Sequence, residues 1–214
     1  FIPAEVATEE IINFMVKEAR GLMCVPLTSE RAEKLGLSYM TDKNTDHHGT
    51  AFTVSVDSFD GTTTGISVLD RLKTIKDLAD NSMSENDFRK PGHIFPLIAK
   101  ENGVLERKGH TEAAVDLSRL SGFNEVGTII EILNEDGGMA RRDDLLKFCK
   151  KHELKIITIE DLILYRKVNE KLVKKEVRAK LPTKYGDFEI IAYSDKIEEK
   201  DYVVMIKGDI ENKE

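Results

Sequence analysis

Cysteine is scarce in this chain: only Cys24 and Cys149 occur among 214 residues. They lie far apart and in no CxxC pattern, which excludes a disulfide framework and a zinc knuckle and points to a reducing cytoplasm. No apolar run approaches the roughly 20 residues of a membrane span. The first residues, Phe1-Ile2-Pro3-Ala4-Glu5, lack the basic start and long apolar stretch of a signal peptide. Basic residues are in deficit, 32 against 39 acidic, and the net charge of -7 argues against a general nucleic-acid binder with a basic face. There is no initiator Met and the opening residues read as strand interior, so the N-terminus is expected to be cut. No internal repeat or low-complexity tract is present. What remains is 40% hydrophobic and 33% charged, an ordinary globular balance, long enough for one core and part of a second domain.

Capping and periodicity place the elements. Thr8 before Glu9 and Glu10 reads as a helix start, with Ile11, Ile12, Phe14, Met15 and Ala19 at helical spacing and Gly21 closing it. Leu22–Leu27 fits a buried strand, and Ser29 caps a short helix ending at Gly36. Residues 41–49 form a polar loop and Phe52–Asp57 an alternating strand. Ser67 caps a helix through Ala79, with Val68, Leu72, Ile75, Leu78 and Ala79 on one side. Strands follow at Ile94–Ala99 and Val126–Leu133 and helices at Thr111–Leu120 and Asp143–His152, then a strand at Leu154–Ile159 and a helix at Glu160–Asn169. The irregular alternation predicts an α+β fold: a mixed β-sheet covered by helices rather than a strict doubly wound one. After residue 170 the composition turns basic at Lys171–Lys180. Two strands around Gly186 and a third at Tyr202–Ile206 make a short β-rich C-terminal extension. The expected division is 1–170 and 171–214.

Two histidines carry the chemical signal, in Pro91-Gly92-His93-Ile94-Phe95-Pro96-Leu97 and in Arg107-Lys108-Gly109-His110-Thr111-Glu112. Each follows a glycine, so bare backbone lies beside the imidazole and a small ligand can approach. His110 enters a helix start beside Arg107, Lys108 and Thr111, a setting for an anion or a divalent metal; a solvated basic turn is the plain alternative. His93 reads either as a buried structural imidazole bonded to backbone or as an imidazole open to a small ligand. Glu131 ends an apolar strand, where an unpaired carboxylate is costly to bury, so it faces a polar site or water at an edge. Asp60-Gly61-Thr62-Thr63-Thr64-Gly65-Ile66-Ser67 could cradle a phosphate or sugar hydroxyls or be a simple turn. Cys24 reads as a packed small hydrophobe. His47-His48 is a possible metal pair, though adjacent residues rarely point the same way.

Read in order, six segments resemble 3,4-dihydroxy-2-butanone 4-phosphate synthase of riboflavin biosynthesis: Ile11–Met15, Gly21–Leu27, Thr50–Asp57, Thr62–Ser67, Pro91–Leu97 and Gly109–Leu117. The resemblance runs from Phe1 to about Asn169, and the tail Lys180–Phe188 resembles the start of GTP cyclohydrolase II. The resemblance implies an α-β-α sandwich. It also implies conversion of ribulose 5-phosphate to 3,4-dihydroxy-2-butanone 4-phosphate and formate with Mg²⁺ or Mn²⁺, through an enediol, loss of a hydroxyl and a skeletal shift. It implies His93 and Glu131 as catalytic residues and His110 as a metal ligand. Arg107, Lys108, Gly109, His110, Thr111 and Glu131 would bind substrate, with Cys24 and Thr64 lining the pocket. A cytoplasmic homodimer is implied, with neither nucleic acid nor membrane as partner.

The family's acidic Arg-Glu-Asn-Glu-Gly-Asp loop, which supplies the other metal ligand, is absent, so this chain is expected to bind Mg²⁺ poorly and to turn over little. The second resemblance implies a zinc site built on cysteines, and with no Cys after residue 149 this chain is not expected to carry that activity. A non-catalytic phosphosugar-binding or docking domain is the competing class.

Overall fold

The computed structural model describes residues 1–195, 197, 200–208 and 210, and divides into Phe1–Ile159 and Glu160–Glu214. The end of the expected second range therefore lies outside the described residues. In the first unit the strands are β1 (Ile2–Pro3), β2 (Arg20–Leu27), β3 (Val56–Ser58), β4 (Phe88–Ile98) and β5 (Gly127–Ile132). They form one sheet in the order β1-β5-β2-β4-β3. Only β2 and β4 run parallel; the other neighbours are antiparallel. The sheet is mixed, as the irregular element order predicts.

The helices are α1 (Glu9–Phe14), α2 (Ser29–Lys34), α3 (Val68–Ala79), α4 (His110–Leu120) and α5 (Arg142–Lys151). Met23–Leu27 is buried without a break, the signature of a strand covered on both faces. Val25, Leu27, Val56, Ile75, Leu78 and Ile94 form the centre of the core, and Val68 and Leu72 of α3 pack against it. Ser67 caps α3 by accepting the Asp70 N–H.

Four local expectations are corrected. The first helix does not end at Gly21. It passes through a π-turn at Met15–Ala19 and closes at Arg20, whose φ is +71°. Gly21 serves another purpose: a Cβ there would lie 2.5 Å from the Glu131 carbonyl oxygen. The cap of α2 is Thr28, not Ser29, because the Thr28 hydroxyl accepts the Arg31 N–H. The strand expected at Phe52–Asp57 narrows to β3, with Phe52 and Thr53 making only isolated bridges to Leu97 and Tyr39. Leu154–Thr158 is irregular and exposed; its β-branched composition finds no partner strand among the described residues.

The second unit holds α6 (Ile159–Asn169, whose first residue closes the first unit) and β6 (Val173–Thr183), β7 (Gly186–Asp195) and β8 (Asp201–Ile206). These strands form an antiparallel sheet in chain order. Thr183 pairs with Gly186 across the turn, and the basic run forms the solvated edge strand β6.

Candidate active site

His93 stands where β4 leaves its register. Val56 of β3 pairs with Ile94, yet the next residue, Asp57, pairs with Arg89. Residues 90–93 therefore bulge from the strand, a device that re-aims side chains. Gly92 makes the bulge possible, since a Cβ there would fall 2.0 Å from the Val56 carbonyl carbon. The bare backbone expected beside a ligand is thus used against β3. The His93 N–H donates to Asp57 Oδ1 at 2.8 Å, and His93 Nδ1 lies 2.7 Å from Asp57 Oδ2. Asp57 is buried, while the His93 ring is 43% exposed. The buried structural imidazole is therefore ruled out. Sequence reasoning missed Asp57; its only signal was a carboxylate ending the β-rich run Phe52–Asp57.

The threonine loop lies on this pair instead of forming an open cradle. Asp70 accepts the Thr63 N–H, the Thr63 hydroxyl and the Gly65 N–H, and the Thr62 hydroxyl donates to the Ser58 carbonyl. These hydrogen bonds hold the Asp70 carboxyl below the usual range, the Thr63 hydroxyl first among them. Those donors of Thr62, Thr63 and Gly65 are thereby committed within the protein. Thr64 remains exposed on the loop.

Glu131 lies on β5, two residues beyond Ile129, the partner of Cys24 on β2. His93 lies two residues before Phe95, the partner of Cys24 on the other side. The two residues therefore flank the start of β2. Two strand spacings separate their positions by about 10 Å. Glu131 Oε2 accepts the Leu22 N–H at 2.8 Å. Burial first, and the Glu131 charge second, push the Cys24 thiol up to about 12. A thiol so raised stays protonated and packs as an apolar group.

The basic turn is built around Glu112, a first-turn residue of α4 that is only 1% exposed. Its Oε1 accepts the Lys100 N–H and its Oε2 lies 2.5 Å from Arg107 Nη1. Arg107 Nη2 donates to the His48 carbonyl. Arg107 is thus partly committed within the protein, with Nε and further N–H groups left to meet an anion. Gly109 precedes α4 with no side-chain cap, Lys108 and His110 are exposed, and Thr111 is buried. The His47 and His48 rings do meet, edge to face at 5.2 Å, against expectation.

Among the described residues no three His, Cys, Asp or Glu side chains group to hold a metal. His110 offers a single exposed imidazole, which suits only a cation that keeps most of its waters. A shallow cleft of about 520 Å³ lies beside the 41–50 loop, lined by Tyr39, Asp46 and Phe52 among others. Neither His93, His110 nor Glu131 lines it. The structure brings His93 beside Asp57, Glu131 beside Cys24, and Arg107 beside Glu112, as three clusters.

Residues 1–165 match the family model of 3,4-dihydroxy-2-butanone 4-phosphate synthase, and residues 174–214 match that of GTP cyclohydrolase II. The chain is 55% identical over 207 residues to the riboflavin biosynthesis protein RibBA of Bacillus mycoides (strain KBAB4), covering 97% of this chain and 52% of the relative. It is 52% identical over 211 residues to the protein of the same name from Endomicrobium trichonymphae, covering 99% and 52%. It spans about half the length of these curated relatives. Among solved structures, it resembles RibBX, a two-domain 3,4-dihydroxy-2-butanone 4-phosphate synthase from A. baumannii. The TM-score is 0.82 and the identity 42%, covering 96% of this chain and 61% of that one. It also resembles a 3,4-dihydroxy-2-butanone 4-phosphate synthase in complex with two magnesium ions, with TM-score 0.75 and 43% identity, covering 78% and 83%.

Proposed function

The chain belongs to the 3,4-dihydroxy-2-butanone 4-phosphate synthase family, and we propose that its first 170 residues carry that family's reaction, ribulose 5-phosphate to 3,4-dihydroxy-2-butanone 4-phosphate and formate. The observation that carries this reading is the placement of an exposed imidazole, His93, and a carboxylate, Glu131, on the two strands flanking β2. Enediol formation and its later collapse need proton transfers at neighbouring carbons, and an imidazole and a carboxylate can share them. His93 and Glu131 are the proposed catalytic residues.

Arg107, Lys108, Gly109, His110 and Thr111 are proposed to hold the phosphate end. The α4 N-terminus and the uncommitted N–H groups of Arg107 supply the attraction there. Cys24 and Thr64 would line the pocket. His110 would supply one imidazole toward Mg²⁺ or Mn²⁺. A bound divalent cation would stabilise the enediolate charge.

A homodimer accords with the basic turn's anchorage at Lys100, seven residues beyond His93. β4 ends at Ile98, so the two positions lie at most about 23 Å apart along the chain, and a second copy is proposed to bring the two halves of the site together. Residues 171–214 are proposed to begin a GTP cyclohydrolase II domain of a bifunctional cytoplasmic protein. No helix among the described residues is long and apolar enough to cross a membrane.

Formate release from ribulose 5-phosphate tests the assignment in the full-length protein. His93→Ala is expected to lower kcat on the order of a hundredfold or more while leaving the fold intact. An unchanged rate would defeat the catalytic role and favour a docking domain.

A further inference from the structure

We propose that Asp57 is a positioning residue that fixes the His93 imidazole as the Nδ1–H tautomer and so presents a bare Nε2 to the substrate. The inference rests on His93 acting as an acid–base group, and it adds a residue to that site. Its basis is the bulge in β4. Stepping out of register deprives the His93 N–H of a ladder carbonyl, and Asp57 Oδ1 accepts it instead at 2.8 Å. The same carboxylate's other oxygen meets His93 Nδ1 at 2.7 Å. Backbone and ring of one residue are held by a single carboxyl group.

An ionised carboxylate only accepts hydrogen bonds. Nδ1 must therefore carry the proton, and in the neutral ring Nε2 is left as the acceptor. The Asp57 side chain is 11% exposed and that of His93 43%, so water competes poorly for the carboxylate while the ring stays open to a ligand. The pair is also covered from above. Gly65, at φ +85°, passes so close that a Cβ there would lie 2.0 Å from Asp57 Oδ2 and 2.5 Å from His93 Nδ1. Asp70 holds that glycine in place through the Gly65 N–H at 2.9 Å. The threonine-rich loop thus acts as a clamp on the histidine's orientation.

Asparagine at position 57 discriminates a positioning role from a merely structural one. It has one acceptor oxygen, which the His93 N–H requires; its NH₂ then faces Nδ1 and demands the opposite tautomer. Long-range ¹H–¹⁵N correlation spectra of the 214-residue chain read this directly. Wild type is expected to show His93 protonated at Nδ1, and Asp57→Asn to show it protonated at Nε2, with the remaining amide spectrum preserved. In the full-length protein, Asp57→Asn is expected to lower kcat for formate release about a hundredfold or more with KM little changed.

An Nε2–H tautomer in the unaltered chain would overturn the proposal outright, and that measurement stands even if Asp57→Asn fails to fold. A switched tautomer with undiminished turnover would overturn it too, while leaving His93 catalytic. Full turnover in His93→Ala would instead remove the reading on which the proposal rests, although the wild-type tautomer would still report the anchoring.

Discussion

The two sheets of this protein both carry β-branched strands but are buried to different extents. In the first unit Val25, Leu27, Val56 and Ile94 are fully buried. In the second, Val177 of β6 is 58% exposed, and Val203 and Met205 of β8 are 61% and 54% exposed. Both sheets carry β-branched strands, so strand propensity located both. Burial depends on a second layer, and among the described residues α3 meets β3 and β4, α4 meets β2 and β5, and Ile12 of α1 joins the same core. Apolar strands alone specify a ladder; apolar strands with amphipathic helices specify a core.

The contrast breaks most readily at the centre of the first sheet. Leu27→Ala removes a side chain with no exposure from the layer between β2 and the helices. It should cost about 2–5 kcal/mol, read as a lower urea midpoint at unchanged slope. A loss below about 1 kcal/mol would mean that this sheet, too, is only loosely covered.

Gly21→Ala probes the site end of the same sheet. A methyl group there meets the Glu131 backbone oxygen at 2.5 Å and its Cβ at 2.8 Å, neither able to move without dragging β5. Overpacking of this kind costs about 1–3 kcal/mol. It should also displace the Glu131 carboxylate from the Leu22 N–H, so formate release should fall by more than stability alone explains. A variant of wild-type activity would separate Glu131 from the chemistry.

The sequence exposed the general plan more readily than the site's assembly. Caps at Thr8 and Ser67 and the apolar stripe of α3 were legible because each is a local rule met by adjacent residues. The bulge that presents His93 was not, because it arises from the contact of Gly92 with Val56, residues 36 apart. Asp57 was likewise hidden: nothing local distinguishes a strand-end aspartate that faces water from one that anchors a ring. The strand expected at Leu154–Ile159 failed for the reverse reason. Its local signal was strong, but pairing is a property of two segments. His93, His110, Arg107 and Glu131 were nameable from motifs, whereas their grouping into three clusters came only with the fold.

Cys24 sharpens the comparison through pH. Its thiol is raised to about 12, chiefly by burial. The folded state then keeps a proton that the unfolded chain releases from about pH 9, so the folded state binds more protons in that window. Stability should fall as pH rises from about 9 toward 12, and Cys24→Ala should flatten that part of the profile. Below pH 8 the profile should be unaffected. At pH 8 Cys24 should resist iodoacetamide in the native state and react after unfolding. Rapid native labelling would place the thiol in water and cancel the assigned burial.

The smallest effect isolates burial from propensity most cleanly. Valine and threonine share shape and strand preference but differ by a hydroxyl. In β8, Val203→Thr places that hydroxyl at a position 61% exposed and should change stability by no more than about 0.5 kcal/mol. In β2, Val25→Thr places the same group where exposure is nil and should cost about 1–3 kcal/mol. Because the swap is identical, backbone preference cancels between the two measurements and their difference reports the covering layer alone. Equal costs in both strands would show that β8 is covered in solution, and the distinction between the two sheets would then lie in something other than burial.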